Sequence, residues 1–372
     1  MKKVLVISNL GRHFRFFGQY DYKVLLDLGF DVHIAANFEE KIDNFDDTRV
    51  IKHQIDFKRN PFNYRNLYAY FQLKKLFNSH FFQIIQTQSP SGGFYSRFAA
   101  VRTRRKGSKV IYTAHGFHFY KGAHIVNWFT FFVIEKLLGY FTDCLITINK
   151  EDYLTANRFK LARNVRFIPG VGINLSKFQN KQQKDLIRTK YNYNINDFIL
   201  ISVAELNNNK NQEMLINVIL RLKEKINNIV LILVGNGKNY EKYFKLIKKY
   251  ELEDNVKLLG QRNDIPELLS LSDIFVTASR REGLPVSVME AMAVGLPIVA
   301  TNCRGNIDLV INNENGYVVN IDDVSSFAEK IETLYSNKEL INLFASKSIE
   351  LIKKFDIKNV SQEMKSIYKQ YT

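Results

Sequence analysis

Two carboxylates, Glu282 and Glu290, stand in the stretch S-R-R-E-G-L-P-V-S-V-M-E-A-M-A-V-G-L-P-I-V-A-T-N-C-R-G, residues 279–305. Glu290 falls among Val286, Val288, Met289, Ala291, Met292, Ala293 and Val294, so its helix is apolar nearly all round and should be buried. An ionised carboxylate there is costly unless it is paired or hydrogen-bonded. Glu282 precedes the helix, beside backbone N–H groups that have no intrahelical partner. Eight residues of helix span about 12 Å, beyond the ~5–9.5 Å of a glycosidase acid/base pair. The spacing better suits a long ligand held at both ends, with a phosphate near the helix N-terminus. The alternative is structural: Glu282 helps cap the helix and Glu290 pairs with a buried arginine.

Three further positions could meet such a ligand. Lys210 lies in a loop after a strand-like run, where it could reach a diphosphate or simply remain a surface lysine. His115 ends the run V-I-Y-T-A-H-G, next to a glycine at a strand's carboxyl end, and is placed to face a ligand. Gly11 follows the first strand and permits a phosphate or sugar to approach the backbone, although one glycine is no G-x-G-x-x-G fingerprint. His118 reads as an aromatic packing residue. His115, His118 and His124 come without a cysteine or carboxylate cluster, and no strict D-x-D triplet occurs, so no metal or other cofactor is expected.

The elements that hold these residues alternate. Ile274–Thr277 reads as a buried strand, Gly283 as a turn, Pro285 as the first helical residue, Val286–Val294 as the helix and Gly295 as its cap. Pro297–Thr301 is the next strand, which completes a βαβ unit. Upstream, strands are expected at Lys3–Ser8, Asp31–Ala36, Gln83–Gln86, Val110–Thr113, Cys144–Ile148 and Val165–Ile168. A helix runs from the Gly11 loop to Leu28, another covers Tyr64–Phe77, and Thr87–Gly93 is a loop. The helix after it carries Arg97, Arg102, Arg104, Arg105 and Lys106, read as a solvated face or an anionic contact. His124–Phe141 is an aromatic helix holding the only tryptophan, Trp128. Pro169–Gly172 marks a domain exit. Gln179–Asn196 is a polar connector with some helix, and Phe198–Val203 opens a second alternation through Val230–Val234 and Val256–Leu258. Amphipathic helices near 325–335, 338–352 and 358–371 follow. The expectation is α/β: two doubly wound domains, 1–175 and 176–355, facing across a cleft.

Charge is uneven. Residues 1–180 hold 27 Lys and Arg against 13 Asp and Glu, whereas residues 181–372 hold 26 against 24. A basic half suits nucleic acid, an anionic membrane surface or acidic substrates, or is drift toward Lys and Asn. No segment reaches ~18 consecutive apolar residues, so no transmembrane helix is expected. The opening M-K-K-V-L-V-I-S is too short for a signal peptide, and Cys144 and Cys303 lie far apart. A cytosolic chain is expected.

Together, R-E-G-L-P-V-S-V-M-E and A-M-A-V-G-L-P-I-V-A resemble the signature of glycosyltransferase family 4, of GT-B fold with two Rossmann-like domains. The segments Y-T-A-H-G-F-H-F-Y-K-G-A, I-T-I-N-K-E-D-Y, I-P-G-V-G-I-N and A-E-L-N-N-N-K-N-Q are similar to those of bacterial capsule and exopolysaccharide transferases. The resemblance implies a retaining enzyme with a nucleotide-sugar held mostly by the C-terminal domain. It assigns Glu282 to hydroxyls of the transferring sugar, Glu290 to the ribose hydroxyls, and the N–H groups of Gly283 and Leu284 to the diphosphate or sugar. Lys210 neutralises the leaving diphosphate, Arg262 lies beside the base, and His115 contacts the donor sugar near the reacting carbon. A helix at about 356–372 is expected to pack back on the N-terminal domain. Two departures stand out: Glu205 replaces a common family arginine, for which Arg12 or Arg281 could substitute, and Gln86-Thr87-Gln88 lacks a His-x-His.

The expected function is transfer of a sugar, UDP-linked, to a polyprenyl-diphosphate-linked saccharide at the inner face of the cell membrane. A GT-B epimerase or phosphorylase shares the architecture. A basic nucleic-acid binder would explain the charge but leaves the buried Glu290 unexplained, and no nucleic-acid motif is visible. An inactive sugar-nucleotide-binding protein is a third reading.

Overall fold

The computed structural model describes residues 2–18, 20–39, 45–178 and 183–372. The chain divides into two compact units, residues 1–172 with 357–372 and residues 173–356. The division falls at Gly172/Ile173, beside the expected Pro-Gly exit and a little before residue 175.

The first unit is built on seven strands: β1 (Lys3–Leu10), β2 (Asp31–Asn37), β3 (Ile51–Gln54), β4 (Ile84–Gln88), β5 (Lys109–Ala114), β6 (Cys144–Thr147) and β7 (Asn164–Phe167). Their order is β3-β2-β1-β4-β5-β6-β7, and every pairing is parallel. Val4, Leu5, Val6 and Ile7 of β1 are all buried, as expected of a central strand covered on both faces. The chain order reverses between β1 and β4, so the crevice of this unit lies at the carboxyl ends of those strands.

Several expectations fail here for physical reasons. The helix predicted up to Leu28 is two, Arg12–Phe17 and Tyr22–Asp27, because Asp21 turns its carboxylate onto the Tyr22 N–H and starts a new helix. β3 was not foreseen: its I-K-H-Q sequence sits on the sheet edge, mostly exposed, and carries no alternation. Thr87 and Gln88 are strand, not loop, and fully buried; the Thr87 hydroxyl is paid for by the Ser96 hydroxyl at 2.7 Å. Arg97 and Arg104 are not solvated. Arg97 is buried, ion-paired to Glu135 at 2.8 Å, with its guanidinium 3.9 Å from the Tyr112 ring centroid. Arg104 makes a two-pronged pair with Asp143 at 2.9 and 2.7 Å. Arg102, Arg105 and Lys106 remain exposed.

Helix Ile357–Lys369 belongs to the first unit, where it buries Val360, Met364 and Tyr368. Beyond it, Gln370 and Tyr371 bond Arg166 and Asn164 of β7 at 3.0 and 3.1 Å. A Cβ on Gly172, at φ +76°, would meet Ile357 atoms at 2.7–2.9 Å, so a close chain approach explains that glycine.

The second unit has six parallel strands: β8 (Phe198–Val203), β9 (Ile229–Val234), β10 (Val256–Gly260), β11 (Ile274–Thr277), β12 (Ile298–Thr301) and β13 (Gly316–Val319), in the order β10-β9-β8-β11-β12-β13. Its order reverses between β8 and β11. The helix of the expected βαβ unit spans Val286–Val294 and ends at Gly295 with φ +86°, as predicted. Pro285 is its cap residue rather than its first helical residue, at φ −74° and ψ 117°. In the connector, Lys184–Lys190 is helical; residues 179–182 of the predicted connector lie outside the described residues.

Candidate active site

In the second unit the two loops that flank the strand reversal carry Lys210, after β8, and Glu282, after β11. Lys210 Nζ lies 2.5 Å from Glu282 Oε1, with side chains 23% and 10% exposed. The predicted lysine and the first predicted glutamate are therefore one ion pair, open enough to exchange partners. Glu282 does not cap the helix: among the described residues no side chain caps it. The N–H groups of Gly283 and Leu284 likewise make no hydrogen bond among the described residues. They are free donors at a helix N-terminus, where the backbone favours an anion.

Hydrogen bonds across the loops fix this geometry. Arg280 N–H donates to Asn209 O at 2.8 Å, Asn209 Nδ2 donates to Arg281 O at 2.9 Å, and Lys210 N–H donates to Asn207 Oδ1 at 3.0 Å. Arg304, after β12 and nearly buried, donates from Nε to the Glu282 carbonyl at 3.1 Å. Gly305, at φ +81°, lies so close that an added Cβ would sit 2.6 Å from Gly283 O. The segment Gly235-Asn236-Gly237, after β9, has the same explanation. A Cβ on Gly235 would meet Ala204 O at 2.1 Å, and one on Gly237 would meet Leu206 O at 2.2 Å. Those glycines let the 235–239 loop press against the lysine loop. Sequence reasoning missed Arg304 and gave no role to the three-asparagine run 207–209 inside A-E-L-N-N-N-K-N-Q, although both stand at carboxyl ends of strands.

Glu290 sits one face further along the helix. Burial pushes its carboxyl up to about 7, against a smaller opposing effect of Lys177. No donor and no arginine pairs with it among the described residues, so the structural alternative for Glu290 fails. A carboxylate without a donor, in a partly enclosed place, is prepared to accept hydroxyl groups. Arg262, after β10, is exposed and forked onto Asp264, which also takes the Tyr191 hydroxyl at 2.6 Å. Glu205 is exposed, and the Arg281 guanidinium makes no hydrogen bond or ion pair among the described residues. Arg281 is thus a spare cation one residue before Glu282.

The first unit holds His115 and Gly11. Gln88 ends β4 with its Nε2 donating to Asp21 Oδ2 at 2.5 Å, which turns its Oε1 toward His115 Nε2 at 2.7 Å. The Tyr20 hydroxyl donates to the same Oε1. With Nε2 facing an acceptor, the His115 proton belongs there and Nδ1 keeps its lone pair. Burial, then the neighbouring His13, holds this imidazole neutral, with a pKa lowered to about 3. The side chain is a fixed neutral acceptor. Its support (Tyr20, Asp21 and Gln88) was not recognised in the sequence. Ser89, in a left-handed conformation at φ 64°, is clasped by Asn9, whose Oδ1 accepts from the Ser89 hydroxyl at 2.7 Å and the Gly92 N–H at 2.5 Å. The Gly11 N–H donates to Asn37 O at 2.9 Å and is not free for a phosphate. His118 stacks on Phe131, centroids 4.4 Å apart, as packing predicts.

The arrangement in the second unit can hold an anion, neutralise negative charge with Lys210, and accept hydroxyl donors at Glu282 and Glu290; in the first unit, His115 is a separate acceptor. Comparison with known proteins points the same way. Residues 183–350 match the family model of glycosyl transferases group 1, and residues 3–149 match that of glycosyl transferase 4-like proteins. The chain is 38% identical over 373 residues to EpsD of Bacillus subtilis (strain 168), which carries the name of a glycosyltransferase, covering 100% of this chain and 97% of that one. It is 28% identical over 316 residues to the UDP-Gal:alpha-D-GlcNAc-diphosphoundecaprenol alpha-1,3-galactosyltransferase of Escherichia coli, covering 82% and 79%. The crystal structure of Anabaena HepE in complex with UDP and glucose superimposes with a TM-score of 0.80 at 18% identity, over 100% of both chains. That likeness identifies the fold as GT-B.

Glu290 gives a pH test. Its folded carboxyl is raised from 4.5, so the stability tied to its protonated form is full below pH 4.5 and is lost as pH rises toward 7. Glu290→Gln should therefore raise the melting temperature at pH 8 and leave it unchanged at pH 4.5. The gain should be about 2 kcal/mol after allowance for its part exposure. Equal curves for the two proteins at pH 8 would contradict the burial argument.

Proposed function

The chain belongs to the group 1 glycosyltransferases related to enzymes of bacterial polysaccharide synthesis, and from that premise we propose that it moves a sugar from UDP to a saccharide carried on polyprenyl diphosphate, with retention of the anomeric configuration. The observation that carries this reading is the Lys210–Glu282 pair beside the open Gly283 and Leu284 amides. Departure of UDP places negative charge on the diphosphate, and preoriented N–H groups with an ammonium stabilise charge where it develops. Arg281 supplies the second cation in place of the arginine absent at position 205. Glu282 accepts hydroxyls of the transferring sugar and releases Lys210 to the diphosphate as it does so. Glu290 accepts the ribose hydroxyls, Arg262 lies beside the base, and His115 Nδ1 accepts from a hydroxyl of the donor sugar. The Escherichia coli relative's name specifies UDP-galactose and a diphosphoundecaprenol acceptor, which supports both substrate classes here.

A lipid-linked acceptor places the enzyme peripherally on the cytoplasmic face of the membrane. Among the described residues, no helix is long and apolar enough to cross a membrane. Phe129, Val133 and Leu137 are exposed apolar residues of the helical stretch 125–139, and Arg102, Arg105 and Lys106 add exposed positive charge. Each Lys or Arg near an anionic leaflet contributes about 1 kcal/mol, screened by salt.

Three experiments test this reading. Glu282→Gln should lower kcat about 100-fold while UDP affinity, measured by calorimetry, stays the same or tightens because Lys210 is released; Glu290→Gln should weaken UDP binding about tenfold. Loss of stability in both variants without a selective effect on ligand would return the glutamates to a structural role. Turnover should survive excess EDTA, since Lys210 and backbone donors supply the charge; restoration of a lost rate by Mg²⁺ or Mn²⁺ would remove this model. Sedimentation with anionic vesicles should fall when Phe129→Ser and Leu137→Ser are combined, and again at high salt. Unchanged sedimentation would leave those side chains merely solvated.

A further inference from the structure

The first unit contains a cavity of about 330 Å³ that, His115 apart, the proposed donor chemistry does not use. It lies between helix Pro90–Ala99, the 116–119 segment and the helical stretch 125–139, and His115 and Ser89 form part of one wall. Phe62, Phe94, Phe117, Phe119, Phe131 and Ile134 line it with apolar side chains.

The polar groups in these walls are already committed to protein partners. Tyr95 donates its hydroxyl to Pro61 O at 3.0 Å. Glu135, the one carboxylate in the lining, is neutralised by Arg97 at 2.8 Å. The Ser89 hydroxyl goes to Asn9, and His115 Nε2 to Gln88. A sugar ring needs several oriented donors and acceptors, and this enclosure offers few that are not already committed. An apolar chain would meet what the walls are made of.

The helical stretch 125–139 is apolar on two sides. Phe131 and Ile134 face the cavity, whereas Phe129, Val133 and Leu137 point away and are 74%, 45% and 54% exposed. Phe62, 59% exposed, packs against Phe131 with centroids 5.3 Å apart and leads from the surface to the cavity wall. Apolar surface therefore continues from outside to within.

We propose that this cavity holds the isoprenoid segment next to the diphosphate of the lipid-linked acceptor. The proposal rests on the acceptor class put forward above, and the cavity assignment can be tested apart from it.

The test uses the full-length protein saturated with UDP, so that the donor's phosphate site is blocked. Geranyl diphosphate, farnesyl diphosphate and inorganic diphosphate are titrated against the fluorescence of Trp128, the only tryptophan, whose ring lies 5.6 Å from that of the wall residue Phe119. Farnesyl diphosphate should bind at least about tenfold tighter than geranyl diphosphate, since one more isoprene unit is buried, and inorganic diphosphate should be weakest. Ile134→Phe, which fills the space, should weaken farnesyl diphosphate about tenfold with UDP affinity and melting temperature retained. Equal affinity for all three diphosphates overturns the proposal without reference to any variant. So does a folded Ile134→Phe protein that binds farnesyl diphosphate as tightly as the parent. Tail-dependent binding without turnover on any polyprenyl-linked saccharide would support the cavity and reject the acceptor reading.

Discussion

Every strand in both units runs parallel to its neighbours, and this constraint governs where chemistry can occur. A parallel sheet is covered by helices on both faces, so its faces are closed to ligands. What remains accessible is the row of loops at the carboxyl ends, and the widest gap in that row opens where the strand order reverses. In the second unit the reversal lies between β8 and β11, and the loops leaving these strands carry Lys210 and Glu282. In the first it lies between β1 and β4, where Asn9, Ser89 and Gln88 gather, with His115 one strand away.

Charge is handled differently in the two places. The second unit keeps Lys210 and Glu282 partly in water, where an ion pair has modest net strength and can be traded for a ligand's charges. Among the described residues it gives Glu290 no donor, and burial raises that carboxyl at the expense of stability. The first unit encloses a network with few spare partners: Asp21, Gln88, Tyr20 and His115 satisfy one another, and the imidazole stays neutral. One region can exchange charge, and the other presents shape and a single lone pair.

The sequence was most legible where local pattern alone decides structure. The strand–turn–helix–strand unit around Val286–Val294 could be read from its apolar runs and Gly295, and it places both glutamates. Reading failed where a residue's partner lies far along the chain. Arg97 looked like part of a solvated cluster because nothing local announces Glu135 or Tyr112. Thr87 and Gln88 looked like loop because polar residues suggest solvent, yet Ser96, Asp21 and His115 satisfy them inside β4 and at its end. The single long helix expected near the N-terminus broke at Asp21, whose carboxylate serves a network that no local window contains. His118 was read as an aromatic packing residue, which it is, but packing around a void is indistinguishable in sequence from packing around none.

Helix Ile357–Lys369 bears on how the molecule is made. It supplies Val360, Met364 and Tyr368 to the interior of the first unit, although all of residues 173–356 are translated before it. On the ribosome, the second unit can therefore complete its interior while the first still lacks a piece. The N-terminal unit, begun earliest, is finished latest, so its apolar surface stays open for the whole synthesis of its neighbour. The surface that Val360, Met364 and Tyr368 later cover must be kept from other chains during that interval, which makes nascent-chain protection a demand set by topology rather than by marginal stability.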